Sequence, residues 1–105
     1  MKITDAEVVK KYANLVQSAE ARKIPFSLTF ATVRRLLSVK RCYFTNQLFS
    51  SKIGSPTERT IDRLANGKGY IENNVVACIK DINLKKGSMS LEDIKNIYNG
   101  VKKLL

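Results

Sequence analysis

Apolar residues recur at helical spacing from the start of the chain. Val9, Tyr12, Val16 and Ala19 share one face, and Lys10, Lys11, Asn14 and Gln17 the other. Thr4 stands where an N-cap belongs, and Glu7 completes a capping box. The helix fades at Arg22-Lys23-Ile24, because Pro25 disfavours helix in the residue before it. Ser27 caps a second predicted helix that buries Phe30, Val33 and Leu37, turns Arg34 and Arg35 elsewhere and closes on Lys40-Arg41. Positive charge suits that end of a helix.

Cys42-Tyr43-Phe44-Thr45 reads as extended or turn-like, and the polar stretch 50–58, with Gly54 and Pro56, as a loop. Arg59 to Leu64 is a short strand. Asn66-Gly67-Lys68-Gly69 supplies positive-φ residues for a reversal. Val75-Val76-Ala77-Cys78-Ile79 is a second strand, rich in β-branched residues. A short helix from Ile79 to Lys86 stops at Gly87. Ser90 then caps a last helix, with Glu92 and Asp93 in its first turn and an apolar stripe of Leu91, Ile94, Tyr98, Val101 and Leu105.

The order helix, helix, strand, turn, strand, helix, helix makes an α+β chain with a compact ββα unit. An isolated hairpin is marginal, so the outer helices must supply most of the core. The 105 residues form one domain, with N-terminal helices over 1–41, the ββα core over 42–87 and a C-terminal helix over 88–105.

Charge narrows the partner. Nineteen Lys and Arg against nine Asp and Glu leave a net charge of +10, which suits a polyanion and above all nucleic acid. No single basic amphipathic helix collects the charge, so a membrane surface is not expected. No apolar run reaches membrane-spanning length, and residues 1–5 lack the apolar core of a signal peptide, so a cytoplasmic location is expected. Cys42 and Cys78 are expected to be buried thiols, and with no histidine in the chain they cannot complete a zinc site.

A ββα unit can hold a phosphate between its first strand and its helix. Cutting one takes a hard divalent cation on oxygen ligands and a base to activate water. Asp62 is the acid in the first strand, Asn83 offers an amide oxygen from the helix, and Asn74 is placed to brace the loop. Each has a plainer reading alone: Asp62 paired with Arg63 or Arg59, Asn83 solvated, Asn73-Asn74 a turn. In this order they outline a site.

These residues also carry a resemblance. Ala21-Arg22-Lys23-Ile24-Pro25-Phe26-Ser27-Leu28, Cys42-Tyr43-Phe44-Thr45-Asn46, the box from Thr60 to Tyr70, Asn74-Val75-Val76-Ala77-Cys78 and the stretch from Asn83 to Lys86 resemble the small HNH endonuclease-like proteins common in phage genomes. The match runs over residues 20–87, and its central box is the most specific part. It implies an HNH-type ββα core flanked by N- and C-terminal helices, in a protein acting in the host cytoplasm if phage-encoded. It implies a catalytic set of Asp62, Arg63, Asn74 and Asn83, with Asp62 and Asn83 holding Mg²⁺ or another divalent cation. Asn46 and Asn73 replace glycines of that pattern, Ala65 replaces an acid, and one of four structural zinc ligands survives, so no structural zinc is expected.

Arg63 stands where such enzymes carry their histidine base. A guanidinium is permanently protonated and cannot take a proton from water, but it can hold a phosphate bidentately. Losing a positioned base costs about 10²–10⁴-fold in rate. That leaves a weak nuclease, a site using Tyr70 or Lys68 as base, or a binder that does not cut. The expected nucleic-acid contacts are Arg59, Arg63, Lys68, Lys85 and Lys86, with DNA favoured over RNA by the resemblance. The alternative is an inactive effector on the same scaffold that binds an acidic host protein.

Overall fold

The computed structural model describes residues 2–105. The described residues are α+β, with four α-helices and one two-stranded antiparallel hairpin. Helix α1 (Asp5–Ala21) begins at Thr4, whose side chain and that of Glu7 form the expected capping box. Lys23 takes φ +56° just beyond it, and Ile24 N–H returns to Ala19 O, closing the helix before Pro25. The buried stripe is Val8, Leu15 and Ala19, with Tyr12 beside it, while Val9 is exposed. Two adjacent valines let the helix satisfy the same periodicity one position earlier than the sequence reading placed it.

Helix α2 (Phe30–Ser38) is capped by Thr29, not Ser27. Its buried face is Thr32, Val33 and Leu36, and Phe30 is 40% exposed. The shift has a cause upstream: Phe26 and Ser27 run extended against Tyr70. Tyr70 N–H donates to Pro25 O at 2.8 Å and Ser27 N–H to Tyr70 O at 2.9 Å. Gly69 makes that approach feasible, since a Cβ there would meet Pro25 O at 2.6 Å and its φ is +84°. In the 66–69 stretch only Gly69 takes positive φ; the other left-handed residue of this loop is Asn73, at +68°.

Strands β1 (Arg59–Arg63) and β2 (Val75–Ile79) pair in the register Arg59↔Ile79, Ile61↔Ala77, Arg63↔Val75. Every residue of β2 is buried, which explains its unbroken apolar run. Val75, Ala77 and Ile61 join α1 and α2 in the main core, while Cys42, Cys78 and Ile79 form a second cluster with Phe44, Phe49 and Ile82. Both cysteines are free and buried, as expected.

Helix α3 (Lys80–Lys86) packs on both strands and ends at Gly87. Helix α4 (Leu91–Val101) is capped by Ser90 with Asp93 in a reciprocal box, and a 3₁₀ turn follows over Lys102–Leu104. Its apolar stripe does not enter the core. No residue of α4 is buried, and Ile97, Tyr98 and Val101 are exposed. So α1 and α2, without α4, supply the helical share of the main core. No helix among the described residues is long and apolar enough to cross a membrane.

Candidate functional site

Strand alternation decides which side chains meet α3. Thr60 and Asp62 lie on one face of β1, and Ile61 on the face that joins the main core. On α3, Asn83 and Lys86 are three apart and share a face. The two sets interlock. Asn83 Nδ2 donates to Thr60 Oγ1 at 3.0 Å, and Lys86 Nζ lies 3.0 Å from Asp62 Oδ2. Lys86 also donates to Arg63 O at 3.1 Å. Its side chain is 2% exposed and that of Asp62 9%, so this is a buried ion pair. Nζ sits close to Oδ2 but off the line of a hydrogen bond, leaving that oxygen charge-neutralised yet without an aligned donor. The partner of Asp62 is thus neither Arg63 nor Arg59.

Asn74 braces the loop between the strands. Ala65 N–H donates to its Oδ1 at 2.9 Å, and its Nδ2 donates to Ala65 O at 3.0 Å and Gly69 O at 2.7 Å. A buried amide with three such bonds fixes the loop path from Ala65 to Gly69, and so the direction in which Arg63 leaves the strand.

Arg63 Nη1 donates to Asn66 O at 2.6 Å, and its guanidinium lies 5.5 Å from the Tyr70 ring centroid. Arg22, from the end of α1, reaches the same ring at 5.9 Å and donates from Nη2 to Tyr70 Oη at 2.7 Å. One aromatic ring thus gathers two arginines. Arg22, Arg63, Tyr70, Asp62 and Asn83 line a single cleft of about 270 Å³. The strand carboxylate and the helix amide therefore do open on one space. With Asp62 cancelled by Lys86, the two guanidiniums leave that space cationic.

The remaining expected contacts divide. Lys68 and Lys85 are exposed, Lys85 pairing with Asp81 at 3.1 Å. Lys86 is turned inward and is not a surface cation. Arg59 is committed elsewhere: its Nη1 donates to Leu36 O at 2.9 Å and to Val39 O, and it covers the Phe49 ring at 4.2 Å. Burial lowers the Arg59 pKa from the ordinary guanidinium value. A larger groove of about 560 Å³ lies beside it, lined by Lys2, Arg34 and Lys40 among others, but Arg34 is engaged by Asp5 and by Ile3 O. Arg22 is the residue the sequence left without a role. Its contact with Tyr70 spans 48 positions, and no local periodicity signals it.

The cleft fits a divalent cation poorly. Asp62 is the one acidic residue lining it among the described residues, and Lys86 already cancels that charge. Hard cations are held by several oxygen ligands with net negative charge. An ammonium in contact with the only carboxylate opposes that.

No protein-family model matches the chain, and no solved structure matches it. The chain is similar to an uncharacterized 29.0 kDa protein of the dda-modA intergenic region of Enterobacteria phage T4, at 27% identity over 97 residues. The similarity covers 90% of this chain, which spans 39% of the length of that relative. A phage protein is therefore among its relatives.

Proposed function

We propose that this chain is a phage HNH-type ββα protein that binds nucleic acid by its phosphodiester backbone in the cleft between β1, α3 and the end of α1. The observation that carries the reading is the convergence of Arg22 and Arg63 on Tyr70 beside Asp62 and Asn83. Two guanidiniums offer paired donors to non-bridging phosphate oxygens, and a partly enclosed setting strengthens those bonds. Exposed Lys68 and Lys85 add charge for neighbouring phosphates.

Two backbone details support the HNH side of the reading. Asn46 and Asn73 replace glycines of the resembling pattern, and both take left-handed φ, +62° and +68°. Asparagine is among the few residues that tolerate this conformation, so the replacements keep the backbone a glycine would allow. Asn74 braces the loop as an HNH loop asparagine would.

Arg63 at the base position makes this protein a binder first, with cleavage slow at best. Fluorescence anisotropy with labelled duplex DNA, single-stranded DNA and RNA, repeated across salt concentrations, tests it. Log affinity should fall linearly with log salt, with a slope of about −0.9 per phosphate contacted on duplex DNA. Affinity that does not respond to salt, or is undiminished in Arg22→Ala and Arg63→Ala, removes the proposal.

One observation favours a second reading, the protein-binding effector. Helix α4 turns Ile97, Tyr98 and Val101 to solvent with no core behind them, an apolar face of the kind protein partners cover. Binding to a protein through that face would be insensitive to Arg22→Ala and Arg63→Ala.

A further inference from the structure

The resemblance places a divalent cation between Asp62 and Asn83. The structure puts an ammonium against the Asp62 carboxylate. Lys86 Nζ is 3.0 Å from Asp62 Oδ2, the oxygen of the expected metal-holding carboxylate, and 3.1 Å from the Arg63 carbonyl at the end of the strand. It arrives from α3 one turn beyond Asn83, on the face that meets β1, and its side chain is enclosed by the fold. A cation bound directly to Oδ2 at ordinary coordination length would press against this ammonium with no second carboxylate to offset it.

Asn83 is held in a matching way. Its amide nitrogen donates to Thr60 Oγ1, whose hydroxyl in turn donates to Cys78 O at 2.8 Å. The chain Asn83–Thr60–Cys78 fixes the amide through neutral hydrogen bonds and needs no ion to organise it.

We propose that Lys86 stands in for the divalent cation of this site: the Asp62–Lys86 pair is a fixed internal charge that sets the end of β1, and the cleft takes phosphodiester oxygens through Arg22 and Arg63 without any metal. The ligand class is a nucleic-acid phosphate presented without a coordinated cation. This rests on the phosphate-binding reading of the cleft, but its first test does not.

That test is Mn²⁺ titration of the free, ¹⁵N-labelled protein, with paramagnetic broadening read residue by residue. Asp62, Arg63, Asn83 and Lys86 amides are expected to broaden no more than those of other buried and half-buried residues. Selective loss of those four signals at low Mn²⁺ would overturn the proposal, whatever the protein does with nucleic acid.

The second test is duplex binding with EDTA or with Mg²⁺ at constant ionic strength. Affinity should change less than about twofold, well under the tenfold that 1.4 kcal/mol represents. A gain of tenfold or more with Mg²⁺ would overturn it. Absence of binding in both conditions would sink the proposed function and leave the Mn²⁺ result to decide this one. Lys86→Gln gives a positive control. With the ammonium gone, the Asp62 carboxylate should acquire Mn²⁺ broadening, and its failure to do so in a folded variant would count against the substitution of Lys86 for metal. If Lys86→Gln does not fold, the wild-type titration remains decisive.

Discussion

Arg22 Nη2 donates to Tyr70 Oη across 2.7 Å, joining the end of the first helix to the loop between the strands. The contact turns a ring that would be core filler into the floor of a cationic cleft. Tyr70 is itself 6% exposed and packs against Phe26, so its position is set by the core, and the arginines are set by it.

Tyr70→Phe removes the hydroxyl and leaves the ring. Arg22 loses its anchor while Arg63 keeps its bond to Asn66. Affinity for duplex DNA should fall several-fold in Tyr70→Phe and more in Arg22→Ala, which should also flatten the salt slope by about one. Anisotropy at three salt concentrations reads both effects, and an Arg22→Ala protein with wild-type slope would remove Arg22 from the interface.

Asn74→Ala deletes one acceptor and two donated bonds at a buried site. Each unsatisfied partner costs about 1–3 kcal/mol, so a loss of about 2–4 kcal/mol is expected after some relaxation. For a domain of this size that lowers Tm by more than about 8 °C. Calorimetry measures it, and limited proteolysis should show new cuts between Leu64 and Asn74. A Tm within a degree or two of wild type would mean that the amide does not hold the loop.

The Asp62–Lys86 pair predicts non-additivity. Lys86→Met alone strands a buried carboxylate and should cost about 3–5 kcal/mol, whereas adding Asp62→Asn should recover much of that loss. Urea denaturation of the two single variants and the double completes the cycle. Additive losses would show that the two side chains do not depend on each other.

Cys78 predicts an alkaline limit. Burial pushes its thiol up from 9.0 to about 11, with Thr60 partly opposing the rise. The folded state holds this proton more tightly than the unfolded chain. Its contribution to stability is therefore complete below pH 9 and is lost as pH climbs from there through about 11. At Cys42 burial also raises the value, but hydrogen bonds with Thr45 and the backbone N–H groups of Ile79, Thr45 and Phe44 outweigh it and leave the thiol lowered. Its contribution runs the opposite way, so the comparison needed is wild type against Cys78→Ala. The alkaline decline in urea midpoint should be shallower in the variant; equal slopes would mean that Cys78 does not titrate in this range.

The hairpin was legible in the sequence because its signals are local. Five consecutive apolar residues in β2, Gly87 after α3 and the Thr4 and Ser90 caps each mark an element without help from the rest of the chain. The phase of α1 was not, because Val8 and Val9 both fit a helical stripe and only the packing of α2 selects between them. Ser27 looked like a cap until the strand-like pairing of Phe26 with Tyr70 claimed its backbone. Composition counts Lys86 as surface charge, yet one carboxylate 24 positions earlier makes it an interior residue. Arg22, which lines the cleft, and Lys86, which neutralises its carboxylate, are fixed by tertiary pairing that no spacing rule encodes.

Helix α4 touches the body of the protein lightly. Its start is tied by Leu91 N–H to Leu64 O at 3.2 Å, and Ile94 lines a shallow apolar groove with Phe44, Ile82 and Met89. Because it shares so little of the cooperative interior, it is free to open and close as a separate unit, on a timescale and at an energy set by its own caps. The folded body can thus keep its cleft intact while this last segment melts, rebuilds or is taken up by something else.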